Sequence, residues 1–434
     1  MSTLRTDNSR PAPGAFDATD PLLPDTFLLH AKWRGPKEAV ICGEDRVSWA
    51  ELGARICRTA NGLLDLGIQP GDRVGIVMSN GLPMLEALLG TMLAGGVSVP
   101  INLSVPDDAI SSMLEDASIS ALVITPDQKP RLERLRLDSL IRIIAGPDQG
   151  DWVGMDGFKT CSATRPDVTI GPDHGLNIIY SSGTTGLPKG IYHTHATRRD
   201  WACDLGVALR YNGAARGLVS IGMYSNISWV TMLCTLLAGG TLIIDERFDA
   251  ARFLELVERE RITHTSMVPV MFQRVIEAME RAACDVSSMQ AMMSCGSPLH
   301  EGLKKQIFKH FRCGVIELYG LTEGVITTLE PEEADGRWAS VGRPLQGTDL
   351  RLIDEDDREA APGEPGEIVA RGRITMPGYW GRADANEEAT WRDAEGRAWF
   401  RTGDIGQIDE DGYLYIVDRK KDMILSGGQN IYPQ

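Results

Sequence analysis

No run of about 18 uninterrupted apolar residues occurs in this chain, so nothing in it reads as a membrane-spanning helix. The best candidate, Trp229–Ile244, is short and broken by Gly239-Gly240. Positive charge is scarce as well. Lys and Arg number 44 against 60 Asp and Glu, a formal net charge of −16. That balance argues against a nucleic-acid or anionic-membrane surface, where cationic side chains dominate affinity. The eight cysteines are scattered and form no Cys-x-x-Cys pair, which fits a reducing cytoplasm better than a disulfide framework or a zinc site. His193-x-His195 has no Cys or carboxylate pattern beside it and is not read as a metal site. Residues 1–26 are rich in proline and polar residues and lack an apolar signal core, so they read as a loose arm rather than a signal peptide. The expectation is a soluble, cytoplasmic protein.

What is present is an ordinary globular composition, 43% hydrophobic and 24% charged. At 434 residues the chain exceeds one ordinary core, and two or three packed subdomains are expected. The stretch Tyr180–Gly190 is organising. Asn177–Tyr180 reads as a short buried strand running into a loop with three glycines, four hydroxyls and one lysine. Glycines let backbone N–H groups approach a polyphosphate, hydroxyls donate further hydrogen bonds, and Lys189 adds a cation. The spacing is not that of an NTPase loop: five residues after Gly183 stands Pro188, and Lys189 is followed by Gly190.

Around this loop strands and helices alternate. Ser48-Trp-Ala-Glu51 is a capping box, with Leu52, Ile56, Leu63 and Leu66 at helical spacing and Gly67 as the stop. Strands are predicted at 73–78, 97–101, 121–125 and 140–145, with helices over 82–93 and 107–116 between them. The same alternation resumes after the loop and continues to residue 318, which means βαβ units and parallel sheets covered on both faces. Gly90–Val99 is echoed by Cys234–Ile243, 144 residues later: a helix end, a Gly-Gly stop and an extended run. This weak repeat suggests two similar α/β halves, an accidental likeness of two αβ turns being the alternative. After Glu330 short alternating runs separated by turns read as an antiparallel, barrel-like subdomain. The predicted fold is therefore α/β, with two similar, mostly parallel α/β subdomains plus a smaller antiparallel β-barrel-like one. The expected boundaries are an arm over 1–26, subdomains over 27–170, 171–330 and 331–418, and a hinge over 419–434.

In open α/β sheets ligands bind beyond the carboxyl ends of strands. Three segments lie at such ends: Ser181–Gly190, Cys295–Pro298 and Tyr319–Glu323. Ser181–Gly190 resembles the phosphate loop of acyl- and aryl-CoA synthetases, luciferases and peptide-synthetase adenylation domains, the adenylate-forming superfamily. Tyr319-Gly-Leu-Thr-Glu323, Arg401-Thr-Gly-Asp404, Asp418-Arg-Lys-Lys-Asp422 and Ser426–Ile431 resemble that family's later motifs, in order. The likeness runs from about Val47 to Pro433.

The resemblance implies the large N-terminal domain of an AMP-forming carboxylic acid–CoA ligase using ATP, Mg²⁺ and CoA. Ser181, Ser182, Gly183, Thr184, Thr185, Gly186 and Lys189 would hold phosphates. Gly296, Ser297, Pro298 and Tyr319 would flank the adenine, Leu318, Gly320 and Leu321 would also bind the nucleotide, Thr322 would bind phosphate, and Glu323 would ligate the metal. Asp404 would accept from the ribose hydroxyls and Arg419 would reach ribose and α-phosphate, with Thr184, Glu323 and Arg419 carrying the chemistry. By resemblance the acid pocket is walled by Met223–Trp229, Val268–Met271 and Ser294–Gly296, with Gly320 at its floor. Tyr224, Ser225, Asn226, Val268 and Ser294 are its candidate contacts. No Arg, Lys or His stands among these, so a neutral, mainly hydrophobic acid is expected. Ser426, Gly427 and Gly428 would line a pantetheine channel, and Lys421 would be the pivot between the two half-reactions. The acceptor is CoA or the phosphopantetheine of a carrier protein. An adenylation domain or a non-catalytic nucleotide-binding module are the alternatives. The family's C-terminal lysine, which contacts the reacting carboxylate, has no counterpart in residues 1–434, so these residues are expected to bind nucleotide and turn over poorly by themselves.

Overall fold

The computed structural model describes residues 20–135, 140–181, 188–419, 424–426 and 429–431, with backbone alone from Arg419 onward. Helix α1 (Leu23–Trp33) leads to the hairpin β1 (Glu38–Cys42) and β2 (Asp45–Ser48), then α2 (Trp49–Asp65). The predicted cap is present: Ser48 Oγ accepts from the Glu51 N–H at 3.2 Å. Gly67, at φ +99°, follows the helix end. There follow β3 (Arg73–Val77), α3 (Leu82–Leu93), β4 (Val97–Pro100), α4 (Asp107–Asp116), β5 (Ala121–Ile124), α5 (Lys129–Leu132), β6 (Ile141–Ile144) and β7 (Val153–Gly154).

A second hairpin, β8 (Gly175–Ser181) and β9 (Lys189–Thr194), opens the second half. It continues through α6 (His195–Ala208), β10 (Arg216–Val219), α7 (Asn226–Leu237), β11 (Thr241–Ile244), α8 (Ala250–Arg259), β12 (His264–Met267), α9 (Pro269–Met279), β13 (Ala291–Ser294), α10 (Glu301–His310), β14 (Ile316–Leu321) and β15 (Val325–Leu329). The last third holds β16 (Arg343–Pro344), β17 (Thr348–Ile353), β18 (Gly366–Gly372), β19 (Gly378–Tyr379), β20 (Thr390–Arg392), β21 (Ala398–Ile408) and β22 (Leu414–Arg419).

The two halves share a topology. One sheet runs β19-β9-β8-β4-β3-β5-β6-β7 and the other β16-β15-β14-β13-β12-β10-β11-β1-β2. Within them β4-β3-β5-β6 and β11-β10-β12-β13 have the same order and are parallel throughout. The echoed Gly-Gly stops fall at equivalent helix ends, with Gly95 at φ +77° and Gly239 at φ +72°. The opening hairpins are exchanged between halves: β1 pairs parallel with β11, and β8 with β4. The boundary expected at 170/171 therefore does not separate the sheets, nor does that at 330/331, since β16 and β19 each extend one of them. Periodicity marks a strand but carries nothing about which distant edge accepts it.

Alternation along the strands sorts the core into layers. Val40, Leu242 and Ile244 join a central cluster with Leu52 and Ile56 of α2, Leu85 and Leu88 of α3, Leu205 of α6 and Leu233 of α7. Ile41, Leu218 and Ile243 face the opposite way, onto Phe253 of α8, Phe272 of α9 and Ile307 of α10. Val77, Leu122 and Ile124 pack onto Ile110 and Met113 of α4. Period-two alternation thus sends neighbouring residues to different helix layers. Helix α7, buried all along Ser228–Leu236, accounts for the apolar run noted above: it is enclosed on every side by protein. Among the described residues no helix is long and apolar enough to cross a membrane. The third sheet, β17-β18-β21-β20 with β22 on β21, is antiparallel, and β21 changes partner along its length, which curls it into a half-barrel.

Candidate active site

The carboxyl ends of β4, β8, β13 and β14 converge on one cavity of about 350 Å³. It is bounded by Ser181 and Pro188, which flank the loop expected to hold phosphates, by Tyr224, Ser225, Asn226 and Ile227 at the start of α7, and by Gly296, Leu318 and Gly320–Thr322. Trp201 and Leu205 of α6, Val230 of α7 and Ile326 of β15 complete an apolar wall. Among the described residues, no charged side chain lines it. The volume is at the small end of ligand pockets.

The structure brings most of the expected site residues together. Ser181 closes β8 and Lys189 opens β9 opposite it in the ladder. Ser182, Gly183, Thr184, Thr185 and Gly186 lie outside the described residues, as do Lys421, Gly427 and Gly428. Of Ser426 and Arg419 only the backbone is described: Ser426 sits in a strand over Ile424–Ser426, and Arg419 is the ladder partner of Asp404. Tyr319 donates its hydroxyl to Asp404 Oδ2 at 2.7 Å, joining the end of β14 to the half-barrel. Asp404 is nearly buried and its N–H is held by Thr402 Oγ1 at 3.1 Å. Gly296 takes φ +91°, and a Cβ there would stand 3.3 Å from Ile227 Cδ1 and Val268 Cγ1. Val268 and Ser294 lie behind the cavity rather than on it, and Ser297 and Pro298 are exposed on the adjoining loop. Of the pocket wall expected at Met223–Trp229, Met223 and Trp229 face the core: both are fully buried, and Trp229 Nε1 donates to the Met223 carbonyl at 2.9 Å. Val270, expected on the Val268–Met271 wall, is half exposed.

Glu323 sits in the turn between β14 and β15. Burial pushes its pKa up, opposed by a hydrogen bond from its own backbone N–H, by the Tyr379 hydroxyl and by the charge of Lys189. Tyr379 donates to Glu323 Oε1 at 2.9 Å, and its ring lies 4.8 Å from the Lys189 ammonium. The segment carrying Tyr379 crosses close above the turn, with Met376 N–H on the Glu323 carbonyl at 2.8 Å. Gly324, at φ +96°, permits this, since a Cβ would stand 2.0 Å from the Ile374 carbonyl oxygen. A half-buried carboxylate with one hydroxyl donor and oxygen chemistry suits a hard divalent cation bridged to phosphates, so Glu323 fits the metal role. Among the described residues, no group of three or more His, Cys, Asp and Glu is placed to hold a metal by itself.

Sequence reasoning missed Tyr379, Arg198 and His193. Strand β19 has two residues, too few for a period. Arg198 is fully buried on α6 and hydrogen-bonds Asn177, Asn226 and His193. Burial lowers its pKa to about 9. The buried His193 ring reaches the Thr322 carbonyl at 2.9 Å, and burial holds its pKa well below the ordinary value.

Comparison with known proteins agrees with this geometry. Residues 29–380 match the family described as AMP-binding enzyme. The chain is 35% identical over 400 residues to a feruloyl-CoA synthase of an Amycolatopsis species, covering 91% of this chain and 78% of that protein. It is 34% identical over 400 residues to the long-chain-fatty-acid–CoA ligase FadD13 of Mycobacterium tuberculosis, covering 89% and 76%. Its fold superposes on the inhibitor-bound N-terminal domain of FACL13 from M. tuberculosis with TM-score 0.82 and 30% identity, covering 92% of this chain and 99% of that one. That family match and these relatives place this protein in the AMP-binding enzyme family, the adenylate-forming superfamily its motifs resemble.

Proposed function

We propose that this enzyme activates a neutral, mainly hydrophobic carboxylic acid with ATP and passes the acyl group to the thiol of CoA. The observation that carries the reading is the apolar cavity, free of charged lining among the described residues, that ends against Thr322 and the phosphate-loop hairpin. An unpaired second carboxylate buried in such a wall would be costly, whereas a fatty, aryl or alicyclic chain is stabilised by burial. The relatives named for feruloyl and long-chain fatty acids support the same class. In the first step the acid's carboxylate attacks the α-phosphorus of ATP, forming acyl-adenylate and releasing pyrophosphate. In the second, the thiol attacks the acyl carbon and AMP leaves.

The chain's residues act by position and charge. Ser181–Gly186 with Lys189 cradle the phosphates, Thr322 adds a hydroxyl, and Glu323 would hold Mg²⁺, which would neutralise phosphate charge. Asp404 and Arg419 take the ribose, and Gly296–Pro298 with Tyr319 flank the base. Lys421 is the pivot and Ser426–Gly428 serve the pantetheine. The unpaired cysteines suit a reducing cytoplasm. A thermal-shift panel of acyl-sulfamoyl adenosines tests the substrate class. Octanoyl or benzoyl analogues should stabilise the protein most, and stronger stabilisation by malonyl, succinyl or aminoacyl analogues overturns it.

A further inference from the structure

Behind the uncharged wall of the cavity stands a charge. Arg198 is completely enclosed, and no carboxylate among the described residues pairs with it. Its fork is spent on neutral acceptors: Nε donates to Asn177 Oδ1 at 2.8 Å, Nη1 to Asn226 Oδ1 at 2.9 Å and Nη2 to His193 Nδ1 at 3.2 Å. Its Cζ lies over the Trp201 and Trp229 rings, 4.8 and 5.2 Å from their centres. An apolar side chain of this volume would pack at such a point without the desolvation that a guanidinium suffers. A cation kept there therefore calls for an anion that is not part of the described protein.

Two orientations follow from the donors. Arginine only donates, so the Oδ1 of Asn226 is occupied and the amide N–H groups are what Asn226 presents elsewhere. Asn226 lines the cavity, and its Nδ2 has no partner among the described residues. Likewise the His193 Nδ1 must accept, which puts the ring proton on Nε2, where it is donated to the Thr322 carbonyl at 2.9 Å. One side chain thus orients the donor at the start of α7 and anchors the Thr322 segment, the two sides of the cavity between which carboxylate and nucleotide must meet.

We infer that Arg198 is a positioning residue for the acid's carboxylate, aiming the Asn226 amide into the cavity and supplying the buried positive charge that holds the acid there as an anion. The inference rests on the ligase reading above. It reconciles a lining that suits a neutral acyl chain with a substrate whose reacting end is charged.

The test compares two ligands in the full chain. One is octanoate in the presence of a saturating non-hydrolysable ATP analogue. The other is octanamide under the same conditions, which has the same chain and no negative charge. Calorimetry on Arg198→Met and Arg198→Gln should show at least about tenfold weaker octanoate binding and less than about threefold change for octanamide, the split expected when only one ligand brings the charge. Arg198→Lys should fall between, keeping the charge and losing the fork. Asn226→Leu should give the same split, and keeps the test open if the arginine variants do not fold. Equal losses for both ligands, or unchanged octanoate binding, overturn the inference and leave the ligase reading intact. A wild-type protein that binds neither ligand overturns the ligase reading and the inference with it.

Discussion

Replacing Glu323 by glutamine separates that residue's charge from its shape. Glutamine keeps an oxygen to accept from the Tyr379 hydroxyl, now 2.9 Å away, and removes the negative charge. Without nucleotide the charge is a burden, because burial raises the Glu323 pKa against the pull of its own N–H, Tyr379 and Lys189. A carboxyl raised in the native state contributes stability below its unfolded value of about 4.3, and that contribution is lost as pH rises through the native value. Nucleotide-free Glu323→Gln should therefore melt at or above the wild type at neutral pH, the difference closing toward acid. With Mg·ATP the sign reverses. Losing one charged contact costs about 1.5–3 kcal/mol, or roughly 10- to 150-fold in Kd at about 1.4 kcal/mol per decade. AMP lacks the phosphates that a bridging cation would bind and should lose less than about twofold. Wild-type affinity for Mg·ATP should also fall with pH as Glu323 protonates, and the variant's should not. Calorimetry with a non-hydrolysable Mg·ATP analogue and with AMP reads both numbers. Equal losses for the two nucleotides, or a lower melting point of the nucleotide-free variant, refute the reasoning.

Three further outcomes are expected. Lys304 and Glu317 form a buried ion pair, and Lys304 also donates to the Trp338 carbonyl at 2.6 Å. Lys304→Met should cost about 3–5 kcal/mol by orphaning the carboxylate, and Lys304→Met with Glu317→Leu should recover most of it. The single-variant deficit should shrink toward acid, where Glu317, already raised by burial, protonates; additive urea-unfolding losses would contradict the pairing. Gly324→Ala forces a Cβ against the Ile374 carbonyl at 2.0 Å with φ +96°, so a loss of at least about 2 kcal/mol is expected, and unchanged urea unfolding would deny the close approach. Leu205→Trp fills the cavity wall and should weaken the octanoyl-sulfamoyl conjugate by about tenfold while sparing a propionyl one; equal losses would move the acyl chain elsewhere.

Local chemistry carried much of this protein. The Ser48 cap, the helix spans 82–93 and 107–116 and the Gly-Gly stops were legible because each is set by residues a few positions apart. The turn holding Thr322 and Glu323 was legible for the same reason, as a short motif, whereas Asp404, read at a Thr-Gly-Asp turn, lies within strand β21. The exchange of the opening hairpins was not: β1 finds β11 some two hundred residues away through backbone pairing that any extended segment can offer. Nor were the groups that finish the site. Tyr379 reaches Glu323 from a two-residue strand docked on β9. Trp229 and Asn226 are three residues apart on α7, yet one packs in the core and the other meets the cavity. Arg198 stands in the sequence beside Arg199 and Asp200, with nothing local to mark it out. Only the closing of the two halves around α6 and α7 buries it, and with that burial turns an ordinary arginine into an enclosed charge hydrogen-bonded to a residue of the cavity wall.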